Sequence, residues 1–326
     1  MKAKEVGVLL VLSALWGGGF LFIRIATPVL GPIALMAMRV VLTGLCLFLF
    51  ALATRTRLEL RTYWKYYLVV GIINAAVPFT LIGVAELSLT SGLAALLNAT
   101  TPLFGAITAV IWMKEAMTIK KAVGLGLGLV GVVVVVGWST LPFSMALLLA
   151  VGASLAAAAS YAIASVYIKV YLGNKVSSLS ISTSSQFFAA LFLIPLTVVS
   201  PPTQMPTPTV LLAVSALAVF CTAATLLLYV WLIAHAGPTK TLTVTFLAPV
   251  FGVFWGVLFL KEPLTPSPFI GLIIILVGAG LVTELLLPDR PKRVVEILPE
   301  QGERILAAQT KVTSQQREFY AKEERS

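Results

Sequence analysis

Ten apolar runs, each about the length of a bilayer-crossing helix, succeed one another along the 326 residues with short polar joints between them. They cover about 6–26, 32–53, 66–86, 91–113, 121–138, 145–168, 178–200, 209–235, 241–260 and 267–287. A spanning helix needs about 20 mostly apolar residues, whereas a spanning barrel strand alternates over about 10. Unbroken runs without alternation therefore predict helices, which satisfy their own backbone in lipid. Composition closes the soluble alternative. Charged residues are 11% and hydrophobic residues 59%, where a soluble domain carries about 25% charged. No core of this size hides that much apolar surface from water. The first run starts at Val6 behind Lys2 and Lys4. It outruns a secretion signal and lacks a cleavage site followed by a soluble domain, so it is read as a retained span.

Loop charge orients the spans. With the N-terminus in the cytoplasm, the inner joints hold Lys2, Lys4, Arg55, Arg57, Arg61, Lys65, Lys114, Lys120, Lys121, Lys169, Lys175 and Lys240. The outer joints hold Arg24 and Lys261. An excess of Lys and Arg marks the cytoplasmic side, so both termini are expected there. The net charge of +10 is thus spent on topology. Its clusters sit between apolar runs, where no stripe of phosphate contacts can form, and nucleic acid is not an expected partner.

The chain also repeats itself. Residues 98–118 read NATTPLFGAITAVIWMKEAMT and residues 245–265 read TFLAPVFGVFWGVLFLKEPLT. At a constant offset of 147, Pro102 meets Pro249, Phe104 Phe251, Gly105 Gly252, Val110 Val257, Lys114 Lys261, Glu115 Glu262 and Thr118 Thr265. The register continues through Gly124/Gly271, Leu125/Leu272 and Gly131/Gly278. Each repeat holds five spans, and an odd number turns the second copy upside down. The expected fold is an all-α polytopic membrane protein with ten transmembrane helices in two inverted five-helix repeats. Its parts are 1–138, 145–287 and a charged cytoplasmic tail at 288–326. Inverted repeats suit secondary transport, because paired halves open to either side around one central site.

Three stretches resemble a known family: SALWGGGFLFIRIATPVLGPIALMAMRV (13–40), LTSGLAALLNATTPLFGAITAVIWMKE (89–115) and GPTKTLTVTFLAPVFGVFWGVLFLKEPLT (237–265). With the duplicated plan they are similar to the drug/metabolite transporter superfamily, EamA type. The resemblance covers about 6–287. It implies ten helices, both ends inside, a cavity between the halves and a small-molecule substrate. Members similar to this chain export amino acids, other metabolites or drugs. The motifs do not carry a substrate with them, and they do not reach the tail.

Few polar residues lie deep enough to serve such a substrate. Arg39 falls seven residues into the second run, about 10 Å by helical rise. A buried arginine costs at least about 2.5–3.5 kcal/mol to insert and usually faces a cavity or a partner. It either grips a carboxylate or phosphate or pairs with carbonyls near the surface. Its repeat counterpart is Gln186. Pro102 and Pro249 are expected to break or bend their helices near mid-membrane, freeing carbonyls for ligand or neighbours. Asn98 precedes Pro102 by one turn, with Thr245 as its counterpart, and Asn74 and Pro78 mark the middle of the third run. Trp16, followed by Gly17, Gly18 and Gly19, and the rings of Tyr161 and Tyr229 offer stacking surfaces or ordinary packing. The expected substrate-binding set is therefore Trp16, Arg39, Asn74, Asn98, Tyr161, Gln186 and Tyr229.

Other chemistry finds little support. Cys46 and Cys221 lie in separate apolar runs and His235 is the only histidine, so neither metal nor cofactor is expected. The glycines of 124–137 have no strand, Lys-Ser/Thr or acidic follower, and read as helix packing, not a nucleotide loop. No Walker motif points to ATP, and no set of catalytic groups lies at one depth, so an enzyme is not expected. Glu86, Glu115, Glu262 and Glu284 fall near run ends, leaving Glu86 and His235 as candidates for proton coupling. In the tail, Leu298, Ile305, Val312 and Phe319 recur every seven residues. This suggests a solvated or membrane-surface helix, or a disordered segment, in preference to a stable coiled coil. The expected function is export or exchange of small polar metabolites, amino acids first, in the plasma (inner) membrane. A nucleotide-sugar or phosphorylated-metabolite carrier and a membrane enzyme remain the alternatives, and the sequence assigns no oligomeric state.

Overall fold

The computed structural model describes residues 1–137, 142–173, 175–202, 204–263 and 266–283. Their regular secondary structure is all helical, with no strand among them. Seven helices have the length and apolar character to cross a membrane: Ala3–Ala53, Leu60–Ala85, Ser91–Met113, Ile119–Gly137, Met145–Tyr171, Ser178–Val199 and Pro208–Ala236. The chain is a polytopic helical membrane protein.

The helices are α1 (Ala3–Ala53), α2 (Leu60–Gly71), α3 (Val77–Ala85), α4 (Ser91–Asn98), α5 (Thr101–Met113), α6 (Ile119–Gly137) and α7 (Met145–Tyr171). They continue with α8 (Ser178–Val199), α9 (Pro208–Ala218), α10 (Thr225–Ala236), α11 (Pro238–Thr241), α12 (Val244–Leu260) and α13 (Pro266–Val282). A π-turn at Ile72–Ala76 joins α2 to α3, and another at Val219–Ala224 joins α9 to α10. The two π-turns begin at positions related by the sequence offset of 147.

Three features depart from the ten separate runs. The first two runs share the 51-residue α1, whose arms meet at Gly31 (φ 74°, ψ 158°) instead of at a loop. That backbone conformation is open to glycine alone, and Pro32 starts the second arm without needing a donor. The last two runs form helices of 17 residues each among the described residues, α12 and α13, at the short end of a spanning length. The break expected at Pro249 lies elsewhere: α12 runs on through that residue, and the interruption falls between α11 and α12. Pro249 is the sixth residue of α12, so the Thr245 carbonyl loses its intrahelical donor, yet the helix stays continuous. The tail, with its seven-residue stripe, and the repeat boundary at residue 138 lie outside the described residues.

Packing is governed by glycine. On α6, a Cβ at Gly124 would stand 2.6 Å from the Gly278 carbonyl oxygen. A Cβ at Gly131 would meet Ile275 at 2.6 Å, so α6 and α13 lie backbone to backbone. Close approach of this kind replaces the hydrophobic effect as the drive for association in lipid. On α1, Gly17 abuts Ala248, Phe251 and Gly252 of α12, while Gly19 faces Leu217 and Cys221. The Trp255 indole donates to the Ala14 carbonyl at 2.9 Å and pins the same contact. The largest buried cluster joins both arms of α1 to α3, α8 and α9, with Leu35, Met36, Val40, Ala75, Ala189, Val214 and Leu217 near its centre.

Candidate functional site

Arg39 lies inside that cluster, only 6% exposed. The π-turn at Val219–Ala224 prepares its partner. The Thr222 hydroxyl donates to the Leu217 carbonyl at 2.7 Å, five residues back, and accepts the Arg39 Nε–H at 3.0 Å. Beneath the guanidinium lies the Phe79 ring, 3.7 Å from Cζ to centroid. A desolvated contact of this sort is worth about 2 kcal/mol or more. Phe79 is held in turn by Tyr161, with ring centroids 6.3 Å apart. A guanidinium carries five donors. Nη1 has the Met36 thioether at 3.9 Å, a weak acceptor. Among the described residues no carboxylate pairs with Arg39. The fork is therefore fixed at one edge and stacked on one face, with donors left over for a planar anion.

The other expected residues fall into separate places. Gln186 is 3% exposed on α8, its Oε1 without a hydrogen-bond partner. It packs against Gly44, five residues beyond Arg39 on the same arm. Trp16 and Tyr229 meet edge to face with centroids 5.8 Å apart, and Trp16 is 37% exposed. Cys221, beside Thr222, touches Gly18 and Gly19, so the π-turn lies between Trp16's arm and Arg39's arm. Asn74 sits within the other π-turn, and Asn98 ends α4 with its Oδ1 buried and unpartnered. Pro102 stands in the first turn of α5 and Pro249 within α12. No hydrogen bond or ring contact among the described residues joins Asn74 or Asn98 to Arg39. The structure thus gathers Arg39 and Tyr161 around Phe79 and Thr222, and pairs Trp16 with Tyr229. Reasoning from sequence missed Phe79 and Thr222. Thr222 replaces Ala75 of the first repeat, a difference the offset of 147 exposes.

A second constellation lies at the Lys-Glu pairs. Lys114 and Lys261 close α5 and α12 in the same left-handed conformation, φ 56° and 57°. Non-glycine residues rarely hold that conformation, and strain of this kind gathers at functional places. After Lys261, Glu262 Oε1 accepts the Ser91 N–H at 2.7 Å and Oε2 the Gly92 N–H at 3.1 Å. The Thr90 hydroxyl takes the Leu93 N–H at 3.2 Å. Three of the four orphan donors that open α4 are thereby satisfied, two of them by a residue from α12's end. Gly256 makes the room, since a Cβ there would run into Glu262 and the Ser91 hydroxyl. Glu115 does nothing comparable. It is 40% exposed and pairs with Lys121 at 3.1 Å.

His235 stacks on Trp231 with centroids 4.0 Å apart and bonds the Trp231 carbonyl oxygen at 2.8 Å from an exposed position.

With the fold and these contacts in place, comparison with known proteins is specific. The EamA-like transporter family matches twice, over residues 4–137 and 145–284. The chain belongs to this family and is a transporter. It is 28% identical over 288 residues to the uncharacterized transporter YvbV of Bacillus subtilis (strain 168), covering 86% of this chain and 92% of that one. It is 25% identical over 294 residues to the uncharacterized inner membrane transporter YedA of Escherichia coli (strain K12), covering 87% and 93%. A solved crystal structure shares the fold with a TM-score of 0.63 at 19% identity, covering 87% of this chain and 98% of that chain. The protein is a multi-pass protein of the plasma membrane.

Proposed function

We propose that the protein exports or exchanges small polar metabolites, amino acids and related compounds first, by alternating access between inverted five-helix halves. Both termini face the cytoplasm in this reading, and the Lys261 end faces outward, as loop charge requires. The observation that carries it is the Arg39 fork: a buried cation held by one hydroxyl and one ring, with no carboxylate bonded to it among the described residues. An intramembrane cation without a counter-ion is costly unless it serves a ligand or pathway. Asn98 and Gln186, each with a buried unpartnered carbonyl oxygen, supply acceptors suited to an ammonium group elsewhere in the path. The matched π-turns and the doubled family match support the two-repeat plan.

The state of the two Lys-Glu ends supports alternation. The Lys261 end is closed: Glu262 caps α4, and a Cβ at Gly252 would stand 2.5 Å from that of Ala95. At the Lys114 end, Glu115 pairs with Lys121 and caps no helix among the described residues, and a Cβ at Gly105 meets nothing within 4 Å. Alternation requires two such arrangements of similar energy.

Thermal unfolding of the purified protein against a panel of amino acids and sugar phosphates tests the reading, since a ligand selective for the native state raises the midpoint. An amino acid is expected to stabilise the protein, Arg39→Gln to abolish that shift, and Arg39→Lys to restore part of it, because an ammonium cannot reproduce the fork. An undiminished shift in Arg39→Gln removes Arg39 from the site. A shift with sugar phosphates alone moves the reading to a phosphorylated-metabolite carrier.

A further inference from the structure

Five residues before Ser91, where the Glu262 cap begins, lies a group the transport site does not use. Glu86 follows α3 on the short link to α4 and is 0% exposed. Both its carboxyl oxygens are buried and neither has a hydrogen-bond partner. Arg24, the nearest candidate counter-ion, donates instead to the Glu86 backbone carbonyl. The charged groups facing Glu86 are Arg24 and Arg39 from α1 and Glu262 from the end of α12. Glu262 is committed to Ser91 and Gly92, and Arg39 donates its Nε–H to Thr222 and makes no hydrogen bond to Glu86. The elements α3 and α4 carry no ionisable side chain, and neither does the half of α7 before Tyr161. An ionised carboxylate buried without a partner is among the costliest arrangements a protein interior can hold, and such a group takes up a proton instead.

The same link runs into the clamp. Residues 86–90 connect Glu86 directly to Thr90, Ser91 and Gly92, whose hydroxyl and amides form the capped start of α4. Glu262 and Glu86 thus act on the two ends of one short link.

Building on the alternating-access reading, we propose that Glu86 is a protonation site that latches the Lys261-side gate. With the gate open, the Glu86 carboxyl passes its proton to water, and the carboxylate turns to the Arg24 guanidinium already bonded to its own backbone. Closing the gate returns Glu86 to its buried, unpartnered place, which it occupies only after recovering a proton from water on that side. Acid on the Lys261 side therefore favours closure, and alkali favours opening.

Two measurements on the full-length protein test the latch. The first needs no substitution. Dicyclohexylcarbodiimide, which attacks neutral carboxyls in apolar surroundings, is expected to modify Glu86 in mildly acidic buffer and to lose that reaction in alkali, as read by peptide mass spectrometry. No adduct on Glu86 in acid overturns the proposal. The second places a cysteine at Ser91, under the clamp, and follows its maleimide reaction. The rate is normalised to a cysteine at Met205, which is 91% exposed, so that ordinary thiol ionisation cancels. The normalised rate is expected to rise about tenfold from acid to alkali. Glu86→Gln, a permanent mimic of the protonated acid, holds it low throughout, and Glu262→Gln raises it at every pH. A rise that persists in Glu86→Gln overturns the latch alone. A residue 91 that stays unreactive even in Glu262→Gln overturns the gate, and with it the alternating-access reading.

Discussion

The two Lys-Glu ends differ in structure far more than in sequence. Lys114-Glu115 and Lys261-Glu262 share a residue pair, a helix-ending position and a left-handed backbone. One glutamate caps a helix 171 residues away, and the other pairs with a lysine six residues on. The surroundings set the difference. Gly256 leaves room for the Glu262 carboxylate, while its counterpart at the offset of 147 is Ala109. Ser91 offers an N–H, while its counterpart is Pro238, which has none. A repeated motif therefore transmits a backbone turn faithfully, but its interactions depend on what the opposite half presents.

The largest expected contrast lies at the paired glycines. Gly252→Leu forces side-chain atoms into Ala95 and is expected to cost about 3 kcal/mol, the upper end of ordinary overpacking. Gly105→Leu enters open space and is expected to be neutral, or stabilising by up to about 1 kcal/mol through helix propensity. Unfolding midpoints in detergent measure both, and equal losses would erase the distinction between a closed and an open end.

Next come the glutamates themselves. Glu262→Ala strands two buried amides and is expected to cost about 2–4 kcal/mol. Glu115→Ala removes a partly exposed ion pair worth about 0–1 kcal/mol. The same thermal measurement applies. If Glu115→Ala proves the more damaging, Glu115 has a docking role in the state that dominates in solution.

The smallest contrast is at the joint between the first two helices of each half. The first half turns at Gly31 alone, whereas in the second half α7 and α8 are separate helices and Ser177 caps α8, its hydroxyl accepting the Ser180 N–H at 3.1 Å. Gly31→Ala is expected to cost about 1–3 kcal/mol through its backbone conformation. Ser177→Ala should cost about 1 kcal/mol, the usual value of a cap. A harmless Gly31→Ala would mean that the bend between the arms of α1 relaxes without strain.

Much of this protein was legible before any contact was known. Continuous apolar runs required helices in a bilayer, because lipid leaves the backbone no other partner. The offset of 147 and the three motif stretches pointed to the EamA type, and the doubled family match agrees. Arg39 stood out because a charge inside an apolar run needs a reason. The joint at Gly31 and the unbroken course of α12 through Pro249 were not legible, since helix continuity there turns on single backbone angles. Nor were the π-turns, which hydropathy does not register. Thr222 became Arg39's partner across 183 residues, and Glu262 the cap of α4 across 171, only because helices packed through Gly17, Gly252 and Gly256 brought those faces together. Periodicity and composition report what each segment must bury from water or lipid. Which face meets which is decided by close approach between helices, and the partners of Arg39 and Glu262, and the isolation of the Glu86 carboxyl, follow from that alone.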